Sequence, residues 1–168
     1  MFGKGHSEPY TIPFQGVYWI LRRPDQPPPR TSLVMRASPT KRAFTSNDYR
    51  PLWMEAHDNL GTLIDVRCCT EVRVEVTDAD ARSKDVGIEL LLGNTRERKE
   101  SWSLGAVPLT QGLPDAVRPV HRTLTFLMPH HPRLDSFNTF TVRFPLAAGH
   151  SYRSARIAIE RFVLVPRP

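Results

Sequence analysis

Apolar and polar positions alternate with period two along much of this chain, a pattern that puts one face of a strand on a core and the other in water. It is clearest where Val72, Val74 and Val76 alternate with Arg73, Glu75 and Thr77, and where Leu124, Phe126 and Met128 share one side of the segment from Arg122 to Met128. Phe14 to Leu21, Ser32 to Ala37, Val86 to Leu92, Ser101 to Leu109 and Phe140 to Phe144 add further strand-like segments, several rich in aromatic and β-branched residues. Pro51 to His57 reads as a strand running into a turn, and Leu63 to Cys69 as an apolar run behind it. The closing segment, Ser154 to Val165, is apolar on both faces: Ile157, Ile159, Val163 and Val165 share one parity with Arg161, while Ala158, Phe162 and Leu164 share the other with Glu160. That suits an interior strand with a bulge near Glu160 and Arg161.

Eight or nine such segments and no convincing helix predict an all-β fold, an antiparallel two-sheet β-sandwich of jelly-roll type. The length of 168 residues fits one domain able to bury a core without metal or disulfide staples. We assign residues 10–168 to that domain and residues 1–9 to a flexible N-terminal arm. Prolines number 16 against 9 glycines, which points to short elements joined by stiff loops such as the run from Pro24 to Pro29. The core is expected to contain Val72, Val74, Val76, Leu124, Phe126, Val142, Phe144, Ile157 and Ile159.

The formal charge of +6 is carried mostly by arginine, 19 of the 23 basic residues. Such a balance can mark a polyanion binder, but these arginines are spread singly with acids between them, which argues against nucleic-acid binding. No apolar stretch is long enough to span a membrane as a helix, and the first ten residues are not a signal peptide. The expected location is cytoplasmic, or the cell envelope if an anchor precedes this chain. Cys68 and Cys69 are adjacent, which excludes a long-range disulfide; the expectation is a structural buried cysteine beside a solvent-facing thiol.

In its closing strand, Ala158-Ile159-Glu160-Arg161-Phe162-Val163-Leu164 resembles the last strand of the galactose-binding-like jelly rolls, which include carbohydrate-binding modules. In that group the acid of this strand often serves a structural calcium, a role the resemblance implies for Glu160. Gly16 to Trp19, Met54 to His57, Ser103 to Gly105 and the terminal AIERFVLVPR also look like a group of uncharacterised bacterial proteins from acidobacteria-like genomes. In that group an anchor commonly precedes the sandwich, implying an envelope location.

Site chemistry is sparse. Six histidines are present, but His130 and His131 are adjacent and no His-x-His or HExxH pair occurs, so a preformed zinc or copper site is not expected. Asp78, Asp80 and Asp85 supply oxygens on a loop without the glycine and bidentate glutamate of an EF-hand, and read as turn residues. No nucleophile motif surrounds the serines or cysteines; Asp78 with Asp80, or Glu55 with Asp58, would be the acid pairs of a glycan hydrolase. Flat exposed rings are what a sugar stacks on, which makes Trp19, Trp53 and Trp102 the ligand-binding candidates, with Tyr18 and Tyr152 behind them. Tyr18 and Trp19 must face opposite ways, so one of them is free to meet a ligand. The leading expectation is a noncatalytic binding or structural module for carbohydrate or another envelope component, with calcium at Glu160 as its one candidate cofactor. A glycan-acting hydrolase and an arginine-driven polyanion binder are the alternatives.

Overall fold

A computed structural model describes residues 7–22, 33–42, 44–46, 51–79, 86–109, 119–145 and 153–168. The run from Pro24 to Pro29, residues 80–85 of the acidic loop, Tyr152, His6 and His150 lie outside them.

Among the described residues ten strands form, against the eight or nine expected. They are β1 (Tyr10–Pro13), β2 (Val17–Arg22), β3 (Leu33–Met35), β4 (Leu52–Asp65), β5 (Cys69–Asp78), β6 (Gly87–Gly93), β7 (Trp102–Pro108), β8 (Val120–Leu127), β9 (Ser136–Arg143) and β10 (Ile157–Pro166). A four-stranded sheet runs β1-β10-β5-β8 and a six-stranded sheet runs β3-β2-β4-β9-β6-β7. Every pairing is antiparallel, and the two sheets close face to face as a jelly-roll sandwich. The expected core positions are all buried, with Val72, Val74, Val76, Val142 and Ile157 fully so. Phe140 on β9 meets Phe162 on β10 with ring centroids 4.3 Å apart, so the two layers interlock through aromatic side chains.

β10 and β4 depart from simple alternation, each for a local reason. In β10 the register against β5 shifts between Ile159 and Arg161. Ile157 and Ile159 point inward before this bulge and Phe162 and Leu164 after it, which is why both parities of the sequence are apolar. In β4 the register against β9 shifts between Asn59 and Ile64. Gly61 there has φ +72°, a conformation glycine adopts without a Cβ penalty, and Asn59 Oδ1 accepts its N–H at 2.9 Å. The expected turn is therefore a kink inside one long strand, and the start of the apolar run behind it, as far as Asp65, continues that strand.

The cysteine expectation is corrected. Cys68 and Cys69 form a vicinal disulfide, so neither is a free thiol. They lie where the chain leaves β4 through a single 3-10 turn, Val66–Cys68, and enters β5 in the opposite sheet. Asp65 caps that turn by accepting the Arg67 N–H at 2.8 Å. Asp78 is likewise no surface turn residue: it is fully buried at the end of β5 and pairs with Arg122 at 3.1 Å.

Candidate functional site

The outer face of the six-stranded sheet gathers the aromatic and charged residues that alternation turns away from the core. Tyr18, the inward neighbour, is buried, and its hydroxyl accepts the Ile159 N–H at 2.8 Å. Trp19 therefore points outward. Pairing of β2 with β4 sets Trp19 opposite Glu55 and Leu21 opposite Trp53, so the two indoles are diagonal neighbours. Next, β9 brings Arg143 opposite Glu55 and Thr141 opposite His57, and β6 places Glu89 on the far side of Arg143.

Glu55 is the centre of this face. Its Oε1 accepts the Trp53 indole N–H at 2.7 Å and the Arg143 Nε–H at 3.2 Å, and its Oε2 lies 2.8 Å from His57 Nε2. Burial alone would push the Glu55 carboxyl up; the hydrogen bonds from His57 and Trp53, with the charges of His57 and Arg143, outweigh it and hold the group below its ordinary value. Arg143 Nη1 sits 3.9 Å from Glu89 Oε2, and Ser103 Oγ donates to Glu89 Oε1 at 2.8 Å. Each indole is braced by a neighbour. The Trp19 ring lies 4.3 Å from the His57 ring at 34°, and the Arg143 guanidinium carbon lies 5.6 Å from the Trp53 ring centroid. Both tryptophans remain partly exposed.

The three candidate tryptophans thus divide. Trp19 and Trp53 share one face; Trp102 does not join them. It pairs with Leu92 and packs against the core. Trp102 shares its parity with Leu104, and both pack against the core; past the register break at Gly105, where φ is +102°, Val107 takes over the inward side. Glu55 and Asp58, weighed as an acid pair, fall on opposite faces of β4: Asp58 is buried and accepts the Gln15 N–H at 3.3 Å. Sequence reading passed over Glu55, His57, Arg143 and Glu89 as ring-bracing groups. The parity shared by Trp53, Glu55 and His57 was a usable signal for two of them. Arg143 and Glu89 come from distant strands and had no local one.

Glu160 lies on the other sheet, at the bulge of β10, where its Oε1 accepts from Thr77 Oγ1 and is bonded to His121 Nδ1. The Thr77 hydrogen bond, more than the reach of His121 and the charges of His121 and Arg161, holds this carboxyl below its ordinary value against the upward push of burial. Among the described residues no group of three or more His, Cys, Asp or Glu side chains is placed to hold a metal ion. No described helix is long and apolar enough to cross a membrane.

No protein-family model matches the chain, and no curated protein matches it in sequence. Among solved structures, the xylan-binding module CBM15 is similar over 96% of this chain and 97% of its own, at 6% identity and a TM-score of 0.50. That likeness shows a shared fold, the jelly-roll sandwich. CBM27-1 of Caldicellulosiruptor saccharolyticus, solved with mannohexaose, is similar over 76% of this chain and 84% of its own, at 12% identity and a TM-score of 0.48.

Proposed function

We propose that this protein is a noncatalytic carbohydrate-binding module whose ligand lies on the outer face of the six-stranded sheet. One observation carries the reading: Trp19 and Trp53 stand as diagonal neighbours on one face, each with its ring plane fixed by a charged or polar partner around Glu55. Rings held in place before a ligand arrives lose little conformational freedom on binding, and sugar faces stack on such platforms while polar groups between them receive hydroxyls. A shared fold with a xylan-binding module is consistent with this. The electrostatics favour orientation over acid catalysis, since Glu55 is held ionised by three partners, whereas a glycosidase acid needs a raised value. Arginine-driven polyanion binding has less support. Arg73, Arg122, Arg143 and Arg161 each face an acid.

The test is titration calorimetry against xylan fragments and mannohexaose, with the unmodified protein, Trp19→Ala, Trp53→Ala and Glu160→Gln. Binding is expected for at least one oligosaccharide, and each tryptophan variant should lose about tenfold or more in affinity. Glu160→Gln should bind as the parent does, since Glu160 sits on the other sheet. Binding that survives both tryptophan truncations would remove this face from the reading. The calcium role for Glu160 is a separate proposal: added calcium should raise the melting temperature of the parent and not of Glu160→Gln, and equal or absent shifts would end it.

A further inference from the structure

A second cleft opens on the inward side of β2, at the edge of the sandwich where β1 of the four-stranded sheet faces the β2 and β3 edge of the other. It encloses about 300 Å³, and its walls include Phe14, Gly16, Tyr18, Arg36, Ser38 and Ile159. The chain makes this space by peeling β1 away from β10. Their last ladder pair is Pro13 with Arg161, followed by one bond from the Phe14 N–H to the Glu160 carbonyl at 3.0 Å. Beyond that point the Ile159 N–H has no β1 partner and is taken by the Tyr18 hydroxyl instead. Gly16 lets the crossing chain press on β4, because a Cβ there would collide with the His57 carbonyl.

The hydrogen-bonding character of the cleft is mostly that of a donor. Tyr18 is 3% exposed and spends an oxygen lone pair on Ile159, and its own proton makes no hydrogen bond to a described residue. Burial pushes the phenol well up from its ordinary value, so that proton stays in place at any physiological pH. Arg36 is exposed at the mouth of the cleft and has no ion-pair partner among the described residues. Ser38 adds a hydroxyl shared with Thr40 Oγ1 at 2.8 Å. Phe14 and Tyr18, with ring centroids 5.2 Å apart, supply an aromatic wall. The nearby acid, Asp58, is turned to the Gln15 N–H, which takes one of its oxygens at 3.3 Å.

From this placement we infer that the cleft is a second ligand site, distinct from the outer tryptophan face, that takes a single carboxylate-bearing sugar ring of the uronic acid class. The carboxylate meets Arg36, a ring hydroxyl or the carboxylate accepts from Tyr18, and the apolar face of the ring lies on Phe14.

The inference is tested on the full chain by amide chemical-shift mapping with D-glucuronate and D-galacturonate, with D-glucose as the neutral counterpart. Uronate should move the amides of Gly16, Ala37, Ser38 and Ile159 in a saturable way and leave the Trp19 and Trp53 indole signals in place. Arg36→Ala, a surface change that leaves the fold intact, should weaken uronate about tenfold, and Tyr18→Phe should weaken it independently of Arg36. No shifts at these amides, shifts confined to the two indoles, equal binding of D-glucose, or an Arg36→Ala affinity equal to the parent would each overturn it. Because the probes and signals differ from those of the tryptophan face, failure here leaves the carbohydrate-module reading standing, and the reverse holds too.

Discussion

Glu55 shows how one side chain can organise a face. It fixes Trp53 by a hydrogen bond, holds His57 against Trp19, and anchors Arg143, which in turn covers Trp53 and reaches Glu89. The consequence is a pH signature. A carboxyl held below its ordinary value of 4.5 in the folded state adds stability that is fully present above that value and is lost as pH falls through the folded one. Glu55→Gln removes that contribution, so the parent should exceed the variant by about 1–3 kcal/mol near neutrality. The gap should shrink as pH drops into the acid limb. Asp58 acts in the opposite sense, its carboxyl being raised by burial, but it is present in both proteins and cancels. Melting temperatures of the pair from about pH 7 to pH 3 check this, and a gap constant across that range would sink it. At this scale the sequence was partly legible. Period-two parity separated Tyr18 from Trp19 and foretold the inner valines; it also pairs Trp102 with the inward Leu104, a signal that reading Trp102 as an exposed ring passed over.

Among elements, the passage from β4 to β5 is the place where the chain changes sheets, and its geometry was not legible at all. Two adjacent cysteines read as an inward and an outward thiol if the segment is a strand. The segment instead breaks into a 3-10 turn, which removes the alternation on which that reading rested. The closed pair then sits at the sheet corner and is tied to the end of β10: the Arg167 N–H donates to the Cys68 carbonyl at 2.9 Å and Arg167 Nη2 donates to the Cys69 carbonyl at 3.2 Å. The expected outcome is chemical. Denatured without reductant, the purified protein should incorporate no iodoacetamide, and after reduction it should take up two labels, one on each cysteine, by intact mass. Labelling before reduction would show free thiols and refute the bond. By contrast the kink of β4 was half legible: a turn following Pro51 to His57 was expected, and its consequence, a bend within one strand, depends on β9 lying alongside both halves.

For the whole molecule, the sandwich class followed from strand spacing, and the sheet assignment did not, because which strands neighbour one another depends on contacts far apart in the chain. The exception is β10, whose two apolar parities already implied an interior place. It lies between β1 and β5, and through Phe162 it joins both layers of the core, meeting Phe140 across the sandwich and Phe14 at 6.3 Å. Removing residues 154–168 would strip β1 of its one ladder partner among the described residues, bare one edge of β5, and uncover the inward faces of Val72, Val74 and Val76. A sheet left with an unpaired edge and a dry apolar face aggregates or loses fixed packing. The truncated chain is therefore expected in the insoluble fraction, or, if soluble, with strand-type far-ultraviolet dichroism but no near-ultraviolet signal and strong binding of an apolar dye. A milder change separates this strand's packing from its charges: Phe162→Ala should cost about 3–5 kcal/mol in denaturant unfolding, while Arg161→Ala, which loses an outward pair with Glu75 and a charge beside Glu160, should cost about 1 kcal/mol or less. Equal costs for the two would mean that the outer ladder of charges, and not the aromatic contact between the sheets, secures β10 in the fold.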